Sequence, residues 1–385
     1  MQSPVRFAPA RALALRAGLL GAACGFAACG NVVALDAGAP DDGAIDDPSG
    51  ASLSACSPTN LDACKYVSDL HYDVGVADIE LTDPARGNLS IPVRAHYPMP
   101  LATGELRAVV VWNHGGFPSA NARTRSEEWG TALAAAGYIV IHPSRVLIAD
   151  AAPFQTVCDR EGFPAPADCQ LFISQRVFGP QTGAFILDSL SAIETMIPQI
   201  TGHVDAARVA VAGHSAGSPV PMVFAGATRQ FAGPLRQSPD ARPLAFLATG
   251  PHGPDYADFD DGFHEDSFHT IDTRPFLWIT GRGDETGDEG ATQHEPSEAR
   301  AAAWLTSTRG NKLLSWDNDE IAVHETMDIH KCDQSATQRT HCDAFAMLGT
   351  AFLDAFVRQR TAAVTYLASS AYDTLNAGVI ELHRR

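Results

Sequence analysis

The feature that most constrains this chain is a rhythm. Short runs suited to strands, at 74–81, 91–97, 108–112, 138–142, 209–212, 244–249, 276–280 and 312–316, give way in the later part of the chain to stretches with apolar residues at helical spacing. Those stretches fall at 125–136, 184–196, 216–228, 298–306 and 344–358. Strands alternating with helices in this way bury their apolar surface by building a mainly parallel sheet covered on both faces. The expected fold is α/β, with an eight-stranded mainly parallel sheet, helices on both faces, and the first two strands as an antiparallel edge. The tail at 361–385 is expected to add one further helix. No repeat and no interior linker marks a second domain.

The first residues read differently. Arg6, Arg11 and Arg16 precede an apolar stretch at 17–28 that is too short to span a bilayer, which is the layout of a secretory signal. Residues 29–57 are dominated by Ala, Asp, Gly, Pro and Ser and cannot bury enough apolar area to fold, so they are expected to form a disordered linker. The expected division is a leader at 1–28, a linker at 29–57 and one catalytic domain at 58–385. Beyond the leader remain Cys56, Cys64, Cys158, Cys169, Cys332 and Cys342. An even set in an exported chain implies disulfides, and pairing each cysteine with its neighbour in sequence brackets one loop per pair. A zinc site would need clusters of Cys and His that are absent from the sequence.

Charge excludes one class of partner. Lys and Arg number 27 against 45 Asp and Glu, a net charge of −18, and Lys occurs only at Lys65, Lys312 and Lys331. No basic cluster could neutralise a run of phosphates, so nucleic acid is excluded as an expected partner.

The chemistry concentrates at three strand ends. The strand at 208–212 runs into Gly213, His214, Ser215, Ala216 and Gly217 and then a helix, the setting in which GxSxG becomes a nucleophile elbow. GxSxG alone is a weak signal in a chain with 32 glycines, and the flanking strand and helix are what give it weight. Serine needs a base, and the base needs a carboxylate to fix its tautomer. After the strand at 276–280 comes Asp284, with Glu285 and Asp288 as alternates; after the strand at 312–316 comes His324, with His330 and His341 as competitors. Asn113, His114, Gly115 and Gly116 end an early strand, so the N–H groups of Gly116 and Ala216 are the expected oxyanion donors. His114 is read as structural. Phe117 and His214 are the expected substrate contacts. Pro219 and Pro221 should kink the helix after the serine.

Several of these marks resemble the α/β-hydrolase superfamily, within it the dienelactone-hydrolase-like and platelet-activating-factor-acetylhydrolase-like esterases. They are NHGG at 113–116, GYIVIHP at 137–143, the segment at 185–190, GHSAG at 213–217, ITGRGD at 279–284 and the His324 loop before a closing helix. The resemblance spans about residues 72–358 and implies a serine hydrolase that cleaves carboxylic esters without a cofactor, with Ser215 as nucleophile, His324 as base and Asp284 as acid. The acetylhydrolases carry their acid one strand earlier, where this chain has Thr249 and Gly250. Dienelactone hydrolase itself uses cysteine where this chain has Ser215. Phe26, Ala27, Ala28, Cys29 and Gly30 resemble a bacterial lipoprotein cleavage site, with Cys24 as a second candidate, which implies export to the cell envelope with a lipid at Cys29 as the only membrane link; a simple secretory signal and a secreted chain are the alternative.

About 25 residues separate the strand ending at Gly250 from the one starting at Phe276, too few for a large lid, so an open site is expected. The insertion at 143–183, with Cys158 and Cys169, is the expected pocket wall. The acidic loop from His252 to Asp266, with Asp255, Asp258, Asp260, Asp261, His264 and Glu265, reads as solvated, and no metal is expected there, although oxygen ligands for Ca²⁺ are present. The expected partner is a small or polymeric ester. A peptidase on the same triad and a non-catalytic binding lipoprotein are the alternative functions.

Overall fold

A computed structural model of the chain describes residues 53–254, 261–285 and 295–385. The leader, Cys24, Cys29, most of the linker, Asp255, Asp258, Asp260 and Asp288 lie outside the described residues. Residues 53–57, expected within the linker, belong to the ordered part: Leu53–Ala55 forms a helical turn, Cys56 is bridged to Cys64, and Leu53 and Cys56 pack against the core.

Nine strands form one mixed sheet: β1 (Asp73–Asp83), β2 (Leu89–Met99), β3 (Arg107–Asn113), β4 (Ile139–Pro143), β5 (Val204–His214), β6 (Ala245–Thr249), β7 (Phe276–Gly281), β8 (Lys312–Asp317) and β9 (Ile380–Arg384). Their order across the sheet is β1-β2-β4-β3-β5-β6-β7-β8-β9. β3 to β8 are parallel, with β4 beside β3, whereas β1 and β2 form the antiparallel edge and β9 pairs antiparallel with β8. The eight expected strands are all present, and the count is corrected to nine. β9 comes from the tail, which makes two short helices, Thr361–Ala368 and Ala371–Leu375, before turning back onto the sheet.

Successive residues of the central strands feed two separate cores, as the pleat requires. Val110 and Trp112 of β3 and Ala210 and Ala212 of β5 pack under the helices Glu127–Ala135 and Ala336–Phe356. Val109, Val111, Val209 and Val211 face the opposite layer, built from Phe178–Asp188, Leu190–Met196 and Pro219–Phe224. The insertion forms a satellite core of its own, in which Phe172, Ile173 and Phe231 pack around Cys158 and Cys169.

The three disulfides are Cys56–Cys64, Cys158–Cys169 and Cys332–Cys342, the local pairing read from the sequence. No described helix is long and apolar enough to cross a membrane. The kink expected at Pro221 has no preceding α-helical turn to bend, because the helix starts later than its apolar pattern. It begins at Pro219, so Pro221 sits in the first turn, where an N–H has no intrahelical partner to lose.

Candidate active site

The carboxyl ends of β3, β5, β6, β7 and β8 meet at a cleft of about 750 Å³. Ser215 sits where β5 turns into the helix at Pro219, at φ +51°, a conformation that costs a non-glycine residue energy and lifts its side chain out of the turn. The two elbow glycines explain how the turn closes. A Cβ on Gly213 would stand 2.4 Å from the carbonyl oxygen of Gly217, and one on Gly217 would stand 2.1 Å from that of Asn113.

Of the candidate acids and bases, the structure brings Asp284 and His324 together. Asp284, fully buried after β7, accepts a 2.6 Å hydrogen bond from Nδ1 of His324 and another from the Thr280 hydroxyl at 2.6 Å. Burial pulls the carboxyl pKa upward, but the Arg300 guanidinium 3.5 Å away, His324 and Thr280 outweigh it and hold Asp284 well below the usual range. His324 moves the other way: burial lowers its pKa, and the attraction of Asp284 offsets only part of this. With Nδ1–H on the carboxylate, Nε2 carries the lone pair, and that buried nitrogen has no hydrogen-bond partner. Ser215 and His324 both line the cleft.

The competitors lie elsewhere. His330 is half exposed and pairs with Glu128 at 2.7 Å, His341 is buried against Asp317, and Glu285 is exposed at the rim.

No family model matches this chain, and no curated protein does.

Gly116, at φ +67°, and Ala216 flank the serine, and neither N–H is spent on a turn, loop or cap hydrogen bond among the described residues. His114 is structural, as read: its Nδ1–H donates to the Gly115 carbonyl at 2.8 Å and its Nε2 accepts the Arg145 backbone N–H at 2.9 Å. Phe117 is 54% exposed at the mouth, available to a ligand. His214 lines the cleft but lies against the base, its ring 4.6 Å from that of His324, with Nε2 on the His324 carbonyl at 3.2 Å and Nδ1 3.5 Å from Asp328. Its Nε2 is thus engaged by a protein group while the residue remains part of the cleft lining.

The wall differs from expectation as well. The insertion lends only Gln175, and half of the lining comes from residues 124–128 and 323–330. Within the acidic loop, Asp261 is buried rather than solvated. It pairs with His252 at 2.6 Å and Arg176 at 2.5 Å, which hold its pKa down to about 2 against the pull of burial. Among the described residues no group of three or more His, Cys, Asp or Glu is placed to hold a metal ion.

Sequence reasoning missed three arginines. Arg300, fully buried, pairs with Glu295 at 2.9 Å and donates to the carbonyls of Gly250 and Pro251 at 3.0 Å, fixing the turn against which His324 rests. Arg125 and Arg145 hold the loop of Gly116. No spacing in the sequence announces these roles: Arg145 and Arg300 reach carbonyls of distant segments, and Arg125 folds back on carbonyls eight and ten residues before it.

Proposed function

We propose that this chain is a serine hydrolase of the α/β-hydrolase kind that cleaves carboxylic esters through an acyl-enzyme. The observation that carries the reading is the Asp284–His324 hydrogen bond at 2.6 Å, which leaves Nε2 of His324 without a partner in the cleft that Ser215 lines. The order Ser, Asp, His at the ends of β5, β7 and β8 supports the same reading.

Ser215 Oγ attacks the ester carbonyl carbon while Nε2 of His324 takes its proton, and the carbonyl electron pair moves onto oxygen. The N–H groups of Gly116 and Ala216 receive that oxyanion. The intermediate collapses with loss of the alcohol, which leaves with the proton from His324. A water then repeats the sequence on the acyl-enzyme and frees the acid. Asp284 stays ionised throughout and stabilises the imidazolium formed in each half.

The test is hydrolysis of p-nitrophenyl acetate, butyrate, octanoate and palmitate by the full chain beside Ser215→Ala. Turnover that disappears in the variant supports the reading, and the best chain length sizes the acyl site. Equal rates in both proteins, or none on any ester, would overturn it and direct attention to amides.

The three disulfides fit an oxidising compartment. We infer that the chain is exported to the cell envelope and held there by a lipid on Cys29. Metabolic labelling with palmitate tests this, since Cys29→Ala should abolish the label; label retained in that variant would contradict it.

A further inference from the structure

The loop of Gly116 poses a mechanical problem. A backbone N–H makes a useful oxyanion donor only if its peptide plane is fixed before the charge appears, since the benefit lies in not having to reorganise. Loops do not fix peptide planes unaided. Here the carbonyls around both donors end on arginines.

Arg125 Nη1 donates to the carbonyls of Gly115 at 2.9 Å and Phe117 at 2.8 Å. The Gly115 carbonyl and the Gly116 N–H belong to one trans peptide and point in opposite directions, so holding the oxygen on Arg125 and on Nδ1–H of His114 aims the hydrogen away from both. Arg145 works from the other side. Its Nη2 donates to the carbonyls of His114 at 2.5 Å and Gly116 at 3.0 Å, and its Nη1 to that of Ala216. One guanidinium therefore spans the two halves of the oxyanion hole, the turn after β3 and the elbow after β5. The remaining peptide, Ser215–Ala216, is held by the Ser218 N–H on the Ser215 carbonyl at 2.8 Å.

The energetics argue that this bracing is not incidental packing. Arg145 is 2% exposed, and among the described residues neither arginine makes an ion pair with a carboxylate. Burying a cation whose hydrogen-bond partners are all neutral is costly even with the charge of Asp261 in its surroundings, and an apolar side chain would fill the same volume more cheaply. What it could not do is grip three carbonyls from two segments in one plane.

We propose that Arg125 and Arg145 are the positioning residues of the oxyanion hole, holding the backbone carbonyls of both its halves so that the N–H groups of Gly116 and Ala216 converge on the cleft. The proposal rests on the ester-hydrolase reading above.

The test uses the full chain as wild type, Ser215→Ala, Arg145→Lys and Arg125→Gln. The probes are p-nitrophenyl butyrate, 1,1,1-trifluoro-2-octanone and 2-octanone. Ser215 Oγ adds to the trifluoroketone carbon, its proton passes to His324, and the carbonyl electron pair becomes an oxyanion with nothing leaving; 2-octanone is the control of equal shape that does not form this adduct. Inhibition constants do not depend on how much of a preparation is folded, so a purely structural role would leave them unmoved. Both variants should lower kcat and weaken the trifluoroketone by about 10–100-fold, while KM and the 2-octanone constant stay within about threefold. A trifluoroketone constant that moves no further than that of 2-octanone overturns the proposal. Should Arg145→Lys fail to fold, Arg125→Gln decides alone, because Arg125 is an exposed side chain. Wild type no more active than Ser215→Ala would instead remove the ester reading, and this inference with it.

Discussion

Nε2 of His324 is the atom on which the account turns. A base must be neutral to act, so activity belongs to the high-pH side and is lost as pH falls through the folded pKa of His324. Burial moves that pKa below its ordinary 6.5, and Asp284 restores only part of the shift. A profile of kcat/KM on p-nitrophenyl butyrate should therefore rise with a midpoint below 6.5, with no second limb from Asp284 until far more acid pH. His324→Ala should cost on the order of 10³-fold or more in kcat, while His330→Ala, half exposed and paired with Glu128, should change it little. A larger loss at His330 would reassign the base. Gly250 offers a subtler probe. It lies at φ +50°, and a Cβ there would come within 2.8 Å of Cε1 and 2.9 Å of Nδ1 of His324. Gly250→Ala should displace the ring and lower kcat by about 10²-fold with the circular dichroism spectrum unchanged; wild-type kcat would show that the turn does not position the base. The meeting of Asp284 and His324 at the cleft that Ser215 lines was legible because strand ends and chain order narrow the choice to a few residues. Arg145 and Arg300 were not, since their partners are carbonyls from distant segments, and Arg125 was not, since the fold-back of its loop onto Gly115 and Phe117 has no sequence signature. The packing of His214 against His324 and Asp328 was not legible either, because its place beside the serine says nothing of residues more than a hundred positions on.

Elements were read well where they are long or flanked by glycine and poorly where they are short. The strands at 108–112 and 276–280 carry apolar runs, broken only by Thr280 at the end of the second, and the structure places them as β3 and β7. β9 has five residues whose alternation, Ile380 and Leu382 buried between Glu381 and His383, is too brief to separate from the helical tail before it. The helix after the serine is shorter than its apolar pattern because the residues beyond Phe224 stay buried without staying helical, and Gly226, at φ +109°, turns the chain away. β9 also has an assignable job. It covers the outer edge of β8 from Leu313 to Asp317, which would otherwise present unpaired N–H and C=O groups. Truncation after Gly378 should expose that edge and drive concentration-dependent association, measurable by light scattering. A monomeric, fully stable truncated chain would contradict this role.

At the scale of the whole molecule, the notable feature is how many imidazoles are buried and uncharged. Burial lowers the pKa of His96 to about 4 and those of His114, His142 and His214 well below the ordinary 6.5. The unfolded chain takes up protons at these sites as pH falls through 6.5, whereas the folded chain does not, so stability is present above 6.5 and drains away toward pH 4. Each such histidine contributes a slope of up to about 1.4 kcal/mol per pH unit. Asp328, whose pKa is raised by burial, and His341, raised by Asp317 against the pull of burial, act in the opposite direction but are two against five, since burial lowers the pKa of His324 as well. The melting temperature should fall steadily between pH 6.5 and 4, and more gently in a His96→Gln, His142→Gln double variant; a flat profile would mean that these rings are protonated in the fold.

The central claim is that Ser215 carries the acyl group. The most direct measurement mixes the full chain with p-nitrophenyl butyrate, quenches in acid within milliseconds, and reads the intact mass and then the peptide holding Ser215. The account predicts a burst of one p-nitrophenol per chain and a butyryl group on Ser215, with neither in Ser215→Ala. A butyryl group on another residue, or turnover without any acylated chain under conditions where acyl-enzyme hydrolysis is rate-limiting, would contradict it.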